Sequence, residues 1–269
     1  MNESVDRRVL GAFQFQDVVT GNSVLDNLAV AALPLLVRPN RCGIYVIFNA
    51  PGFADLTGQF DPPLPGPKAG TFEISVQDPS RRYLPRRVKL QVPQNLPAAI
   101  DPSKPFDPGK VLSDPRVIFN PQAVPLYPSP AAPVAPTWAA IHISVVRSGI
   151  VPLTGLPWCA VQVTHPDNGG KTKVLATTVT DARGEGLLAI PGLGPEISGS
   201  ETGAVTKSNV SITITAGYDP SIAIPPPDTW VPNPDEIISK LGGGSLKTAS
   251  LDDEIAPGQT LNRTLAISV

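Results

Sequence analysis

The side chains best suited to proton transfer, nucleophilic attack and soft-metal ligation are scarce in this chain: two histidines, His142 and His165, and two cysteines, Cys42 and Cys159. The histidines fall on different predicted strands, so they lack the i, i+4 helical spacing of a zinc pair. Two widely separated cysteines supply neither a four-ligand zinc site nor a disulfide scaffold, and two unpaired thiols are expected. No Gly-x-Ser-x-Gly elbow occurs, although a Ser-His-Asp triad needs no sequence adjacency and stays open at this level. The run Gly242-Gly243-Gly244-Ser245-Leu246-Lys247-Thr248 lacks the phosphate-loop spacing, in which glycine directly precedes the lysine and a helix follows. It is expected to be a helix stop. Asp252, Asp253 and Glu254 are adjacent rather than spaced around a glycine turn, so calcium ligation is not expected, and a solvated loop is. No catalytic residue, no cofactor and no metal is therefore assigned.

One cluster stands out. Charged residues make up 16% of the chain, yet Arg81, Arg82, Arg86, Arg87 and Lys89 crowd around Tyr83. Arg and Tyr are enriched at protein contacts, which makes Arg81, Arg82, Tyr83, Arg86 and Arg87 the candidate partner interface, with an acidic neighbour as the complement. The competing reading is a hairpin whose polar face is basic and solvated. Trp138, Trp158 and Trp230 are expected to cover the core, the alternative being a carbohydrate-binding face.

Bulk properties narrow the partners. A net charge of −2 provides no general field to attract phosphate backbones, so nucleic acid is not expected. No apolar stretch is long enough for a membrane-spanning helix; residues 28–37 come nearest and are interrupted by Pro34. Residues 1–8 are polar and charged and precede no apolar run with a cleavage site, so no signal peptide is expected and synthesis is placed in the cytoplasm.

The elements that must position these residues read as strands. Proline reaches 33 of 269 residues, well above the usual ~5%, and proline disfavours helix interiors. Apolar side chains alternate with polar ones at Phe72, Ile74, Val76; at Val88, Leu90, Val92; at Ile141, Ile143, Val145; and at Val210, Ile212, Ile214, each the mark of a half-buried strand. Val9, Phe13 and Phe15 share one face near the start, and residues 44–48 form a more continuous buried run. One short helix is expected where Asn233 caps, Pro234 opens, Glu236 stands three residues after the cap and Gly242 ends it. At this length two domains are the leading count. The expected division is a first domain over 1–95, a proline-rich linker over 96–135, and a second domain over 136–269 carrying an insertion or cover over 224–258.

An internal duplication organises both halves. The first runs from an opening strand through Val19-Thr20-Gly21-Asn22-Ser23-Val24, an apolar strand, the hairpin Asn40-Arg41-Cys42-Gly43 and then Ala50-Pro51-Gly52-Phe53. The second runs from residues 141–146 through Ser148-Gly149-Ile150-Val151-Pro152-Leu153-Thr154-Gly155, residues 159–164 and Asp181-Ala182-Arg183-Gly184 to Ile190-Pro191-Gly192-Leu193. Each step needs a glycine or proline-glycine turn between strands.

This ordered pattern resembles the carboxypeptidase regulatory-like domain, a small transthyretin-like β-sandwich, most clearly at Thr180-Asp181-Ala182-Arg183-Gly184 and Ala189-Ile190-Pro191-Gly192. The doubled arrangement, with Asp78-Pro79-Ser80-Arg81-Arg82-Tyr83-Leu84-Pro85 and Pro125-Leu126-Tyr127-Pro128, looks like proteins associated with phage-tail-like contractile injection particles. The first half departs from the pattern in having Asn40 where the acidic residue stands. The resemblance implies an all-β chain of two antiparallel sandwiches with no enzymatic activity. It implies a structural or adaptor subunit near the cap or baseplate of such a particle, with protein subunits and further copies of itself as partners. A glycan- or cell-surface-binding adhesion module is the alternative.

Overall fold

The computed structural model describes residues 9–52, 70–92, 120–166, 172–194, 196–199, 205–221 and 231–269. The chain is all-β, with sixteen described strands and one short described helix. Two compact units divide it: one comprises Met1–Asp17, Gly21–Pro79 and Arg87–Leu126, the other Val18–Thr20, Ser80–Arg86 and Tyr127–Val269.

In the first unit the strands are β1 (Gly11–Asp17), β2 (Ala29–Ala31), β3 (Leu36–Pro39), β4 (Ile44–Asn49), β5 (Gly70–Gln77), β6 (Arg86–Val92, whose first residue Arg86 belongs to the second unit) and β7 (Gln122–Leu126). One sheet has the order β3-β4-β1-β7 and the other β2-β5-β6. Period-two alternation points Phe13 and Phe15 of β1 inward, where both are fully buried. Their rings meet edge-on at 5.6 Å, and Tyr45 of β4 stacks on Phe13 at 5.1 Å. Such pairs add ~0.5–1.5 kcal/mol each beyond their buried area. Val9, expected on the same face, precedes the strand and is exposed.

The second unit repeats this plan. Its strands are β8 (Ala139–Arg147), β9 (Ala160–Pro166), β10 (Thr172–Val179), β11 (Glu185–Ile190), β12 (Glu196–Gly199), β13 (Val205–Ser208), β14 (Val210–Tyr218), β15 (Lys247–Ile255) and β16 (Thr260–Ile267), with helix α1 at Pro234–Ile238. The sheets run β11-β8-β16 and β10-β9-β14-β15, beside a two-stranded ribbon, β12-β13. Between the two larger sheets lies an apolar core built from Ile141, Ile143 and Val145 of β8, Val161 and Val163 of β9, Ile212 and Ile214 of β14, and Leu261 and Leu265 of β16.

The duplication extends to register. Gln14 pairs with Ile44 as Ser144 pairs with Glu185, and Phe15 pairs with Val124 as Val145 pairs with Leu265. The hairpins match bond for bond. Asn40 Oδ1 accepts from the amides of Cys42 and Ile44, both at 2.9 Å, and Asp181 Oδ1 accepts from Arg183 at 2.8 Å and Glu185 at 3.0 Å. The acceptor oxygen is what the turn requires, and Asn supplies it as well as Asp does. Gly43 and Gly184 follow with φ of +73° and +81°. At Gly184 a Cβ would stand 2.6 Å from Val145 O, so only glycine fits.

Three expectations need correction. The last strand of each unit runs parallel to the first, β7 to β1 and β16 to β8, so the sandwiches are not wholly antiparallel. The 96–135 linker is not simply a connector, because Gln122–Leu126 inside it returns to pair with β1 in the first unit. The proline-rich residues 93–119 lie outside the described residues, but they start from β6 and lead back to β7 of one unit. At the equivalent place in the second unit β15 reaches β16 through residues 256–259. Finally, the 224–258 cover divides: α1 covers, whereas Lys247–Ile255 is a sandwich strand paired along its whole length with β14. Adjacent Asp252, Asp253 and Glu254 hid its alternation, since the inward-facing Asp253 is neutralised by Arg263 of β16.

Candidate interaction surface

The turn between β5 and β6 carries the basic cluster, and alternation along the chain sorts its side chains. In the second unit, Leu84 N donates to Tyr127 O at 2.9 Å and Ser129 N to Arg82 O at 2.8 Å, with Tyr83 bridged to Pro128. Ser129 Oγ donates to Arg81 O at 2.5 Å. This short ladder seats Leu84 among Tyr127, Trp158, Ala160, Val179 and Ile237, a second apolar cluster over the outer face of β9 and β10.

Arg86 is not a surface residue. It is 1% exposed, its Nη2 donating to Asp235 Oδ2 at 2.7 Å and to Asn233 Oδ1 at 3.0 Å. Tyr127 OH donates to the other Asp235 oxygen at 2.9 Å, so both carboxylate oxygens are used. Asn233 Oδ1 also caps α1, accepting from Asp235 N at 3.3 Å. Burial, then the adjacent Asp235 carboxylate, pushes the Tyr127 phenol above its usual value. A second tie, Lys240 to Asp219 at the end of β14, holds the residues after α1 and keeps the Asp219 carboxyl below its ordinary value.

The remaining residues of the cluster separate. Arg81 is exposed and has φ of +58°, a left-handed conformation uncommon outside glycine. Arg82 lies 5.8 Å over the Tyr83 ring and bonds Ser80 Oγ at 3.1 Å. Arg87 belongs to the first unit, where it pairs with Glu73 at 3.1 Å. Arg81, Arg82 and Tyr83 thus form one accessible surface, Arg86 lies beneath it, and Arg87 is elsewhere. Counting charges along the sequence found the cluster but not this division. Asn233 and Asp235 as partners of Arg86, and Tyr127 as a further donor to Asp235, had no local signal, because they lie far along the chain.

The other candidates are dispersed. His165 Nδ1 lies 2.7 Å from Ser211 O, and His142 stands on β8 opposite Leu187. Among the described residues no group of three His, Cys, Asp or Glu side chains could hold a metal ion. Trp158 is buried in the second apolar cluster and cannot serve as a sugar platform; Trp230 lies outside the described residues. Asp252, Asp253 and Glu254, expected in a loop, line one wall of a groove of about 430 Å3 with Pro166, Ser211 and Thr213. Thr213 Oγ1 donates to Asp252 at 2.7 Å and Asn209 to Glu254 at 3.4 Å. Both cysteines are free, Cys42 exposed and Cys159 buried. Among the described residues no helix is long and apolar enough to cross a membrane.

Fold and surface together define an all-β protein built of two sandwich units. No protein-family model matches the sequence, and no curated protein matches it. Among solved structures, sea bream transthyretin in complex with thyroxine is 18% identical with a TM-score of 0.23, covering 47% of this chain and 86% of that one. The Bacillus anthracis TIE protein is 12% identical with a TM-score of 0.27; the match covers 97% of this chain and 34% of that one. A 9R-lipoxygenase from Cyanothece is 12% identical with a TM-score of 0.22, over 48% of this chain and 16% of that one.

Two predictions follow from burial. Asp235→Ala should cost about 3 kcal/mol by leaving the Arg86 guanidinium buried without its carboxylate, whereas adding Arg86→Met to it should recover most of that loss. Equal urea midpoints for the single and double variants would contradict this. Burial pushes the Cys159 thiol up to about 12, so iodoacetamide at neutral pH should add one group to the folded protein, at Cys42, and two after unfolding. Two adducts on the folded protein would contradict it.

Proposed function

We propose that the protein is a non-catalytic structural or adaptor subunit of a phage-tail-like contractile injection particle, seated at its cap end or at its baseplate. The observation that carries this reading is the duplication: two sandwiches with the same strand pairings and the same hairpin chemistry. The second of them presents Arg81, Arg82 and Tyr83 on a turn whose backbone is pinned from below. A frame repeated with this fidelity, with its conspicuous charges on rigid turns, suits docking between neighbouring subunits. The particle itself is inferred from the sequence resemblance. Within it, the cap or baseplate is favoured over sheath and tube, which repeat along the axis and are built from other folds.

The test is direct. Sheath-containing particles are purified from the producing cells and the copy number of this chain is measured against the sheath. A low copy number that sediments with the particles is expected. A sheath-like copy number would refute the position, and consistent absence would refute the assignment. Within co-sedimenting material, Arg81→Glu should abolish incorporation while leaving the thermal midpoint nearly unchanged, because Arg81 is exposed and exposed charges contribute little to stability.

A further inference from the structure

We infer that the partner of the Arg81–Arg82–Tyr83 turn is a second copy of this chain, which receives the turn in its groove at Asp252 and Glu254. The inference rests on the reading of the protein as an assembling subunit, and it names the surface and partner that such a subunit would use.

The turn and the groove both lie within the second unit. The turn sits through Leu84 over Ala160 and Val179, at the first end of β9 and the last end of β10. The groove lies on the same sheet at the other end of β9, against Pro166, where Ser211 and Thr213 of β14 stand opposite Glu254 and Asp252 of β15. Strand alternation puts those four side chains on the outer face, since Ile212 and Ile214 between them belong to the core. Along β9 the two places are about 20 Å apart at the ordinary rise of a strand.

Charge provides the complement. Arg81 pairs with no described carboxylate, and neither Asp252 nor Glu254 pairs with a described cation. Asp253, by contrast, is already committed to Arg263, which leaves its two neighbours as the acidic groups facing outward. Hydroxyls at Ser211 and Thr213 add acceptors and donors for a guanidinium fork or a phenol. Because basic turn and acidic groove occupy opposite ends of one face, two copies laid face to face with directions reversed satisfy both contacts at once. That arrangement is self-complementary and closes as a two-fold dimer. It doubles the favourable charge pairing and covers the polar face between the two sites.

The geometry makes a sharp demand on mixing. A chain carrying Arg81→Glu and Arg82→Glu has an acidic turn and an acidic groove, so it should not pair with itself. A chain carrying Asp252→Lys and Glu254→Lys has a basic turn and a basic groove, and should fail likewise. Mixed one to one, each turn meets a groove of opposite sign, and a heterodimer should form.

Light scattering coupled to size exclusion and sedimentation equilibrium on the purified full-length chain would read this. The unaltered protein is expected to be dimeric and to dissociate as salt rises. Each variant alone should weaken association about 100-fold or more through like-charge contact, with an unchanged far-ultraviolet spectrum, and the mixture should recover the dimer mass. A monomer at all concentrations overturns the inference. So does a dimer indifferent to both sets of substitutions, or a mixture that stays monomeric. Open-ended association overturns the reciprocal geometry. Failure here with intact co-sedimentation would leave the particle assignment standing, and a dimer that never sediments with particles would do the reverse.

Discussion

The second sandwich depends on a buried guanidinium. Arg86 is taken out of water at the start of β6, and a buried cation is tolerated only when its charge and donors are answered in place. Asp235 answers the charge and, with Asn233, accepts from Nη2, and both belong to the start of α1. The helix is five residues long, too short to be stable by its own hydrogen bonds. Its position is fixed by what it holds and by Ile237 beneath it. Tyr127 closes the arrangement by donating to Asp235 while its ring packs in the same apolar cluster. One interaction therefore accounts for three features: the short helix stays folded, the outer face of β9 and β10 is covered, and the turn bearing Arg81 and Arg82 is held rigid.

Rigidity of that turn connects packing to function. A charged side chain on a flexible loop costs both backbone and side-chain freedom when it docks, whereas one on a pinned backbone costs only the side chain's own. The ladder from Leu84 and Arg82 to residues 127 and 129 supplies the pinning. Asp235 is 42% exposed at its side chain, so the charge pair sits at the edge of the buried region and its energetic weight falls on the arginine side. The same economy appears in the paired hairpins, where a single side-chain oxygen organises the turn before each glycine and no net charge is needed for it.

Much of the fold was legible because strands with one wet face announce themselves in period two. Phe13 with Phe15, Ile141 to Val145 and Val210 to Ile214 were read from alternation alone, and the turn glycines revealed the duplication. Three kinds of feature were hidden. The inward carboxylate Asp253 disguised β15, because its neutralising partner lies on another strand. The prolines around β7 disguised an edge strand, since Pro125 can sit where a ladder bond is not needed. The buried role of Arg86 was invisible because its partners lie about 150 residues away, and because arginine is so rarely buried that exposure is the reasonable expectation. Of the candidate surface, the sequence supplied the residue types and the fold decided which of them face outward.

Residues 80–86 are an integral part of the second unit. Amide hydrogen exchange on the intact chain tests it most directly, followed residue by residue at the Leu84 and Ser129 amides, which donate to Tyr127 O and Arg82 O. Protection at these two positions comparable to that at Val145 in the second core is expected, because all three open only when that unit does. Rapid exchange at Leu84 and Ser129, beside slow exchange at Val145, would contradict it.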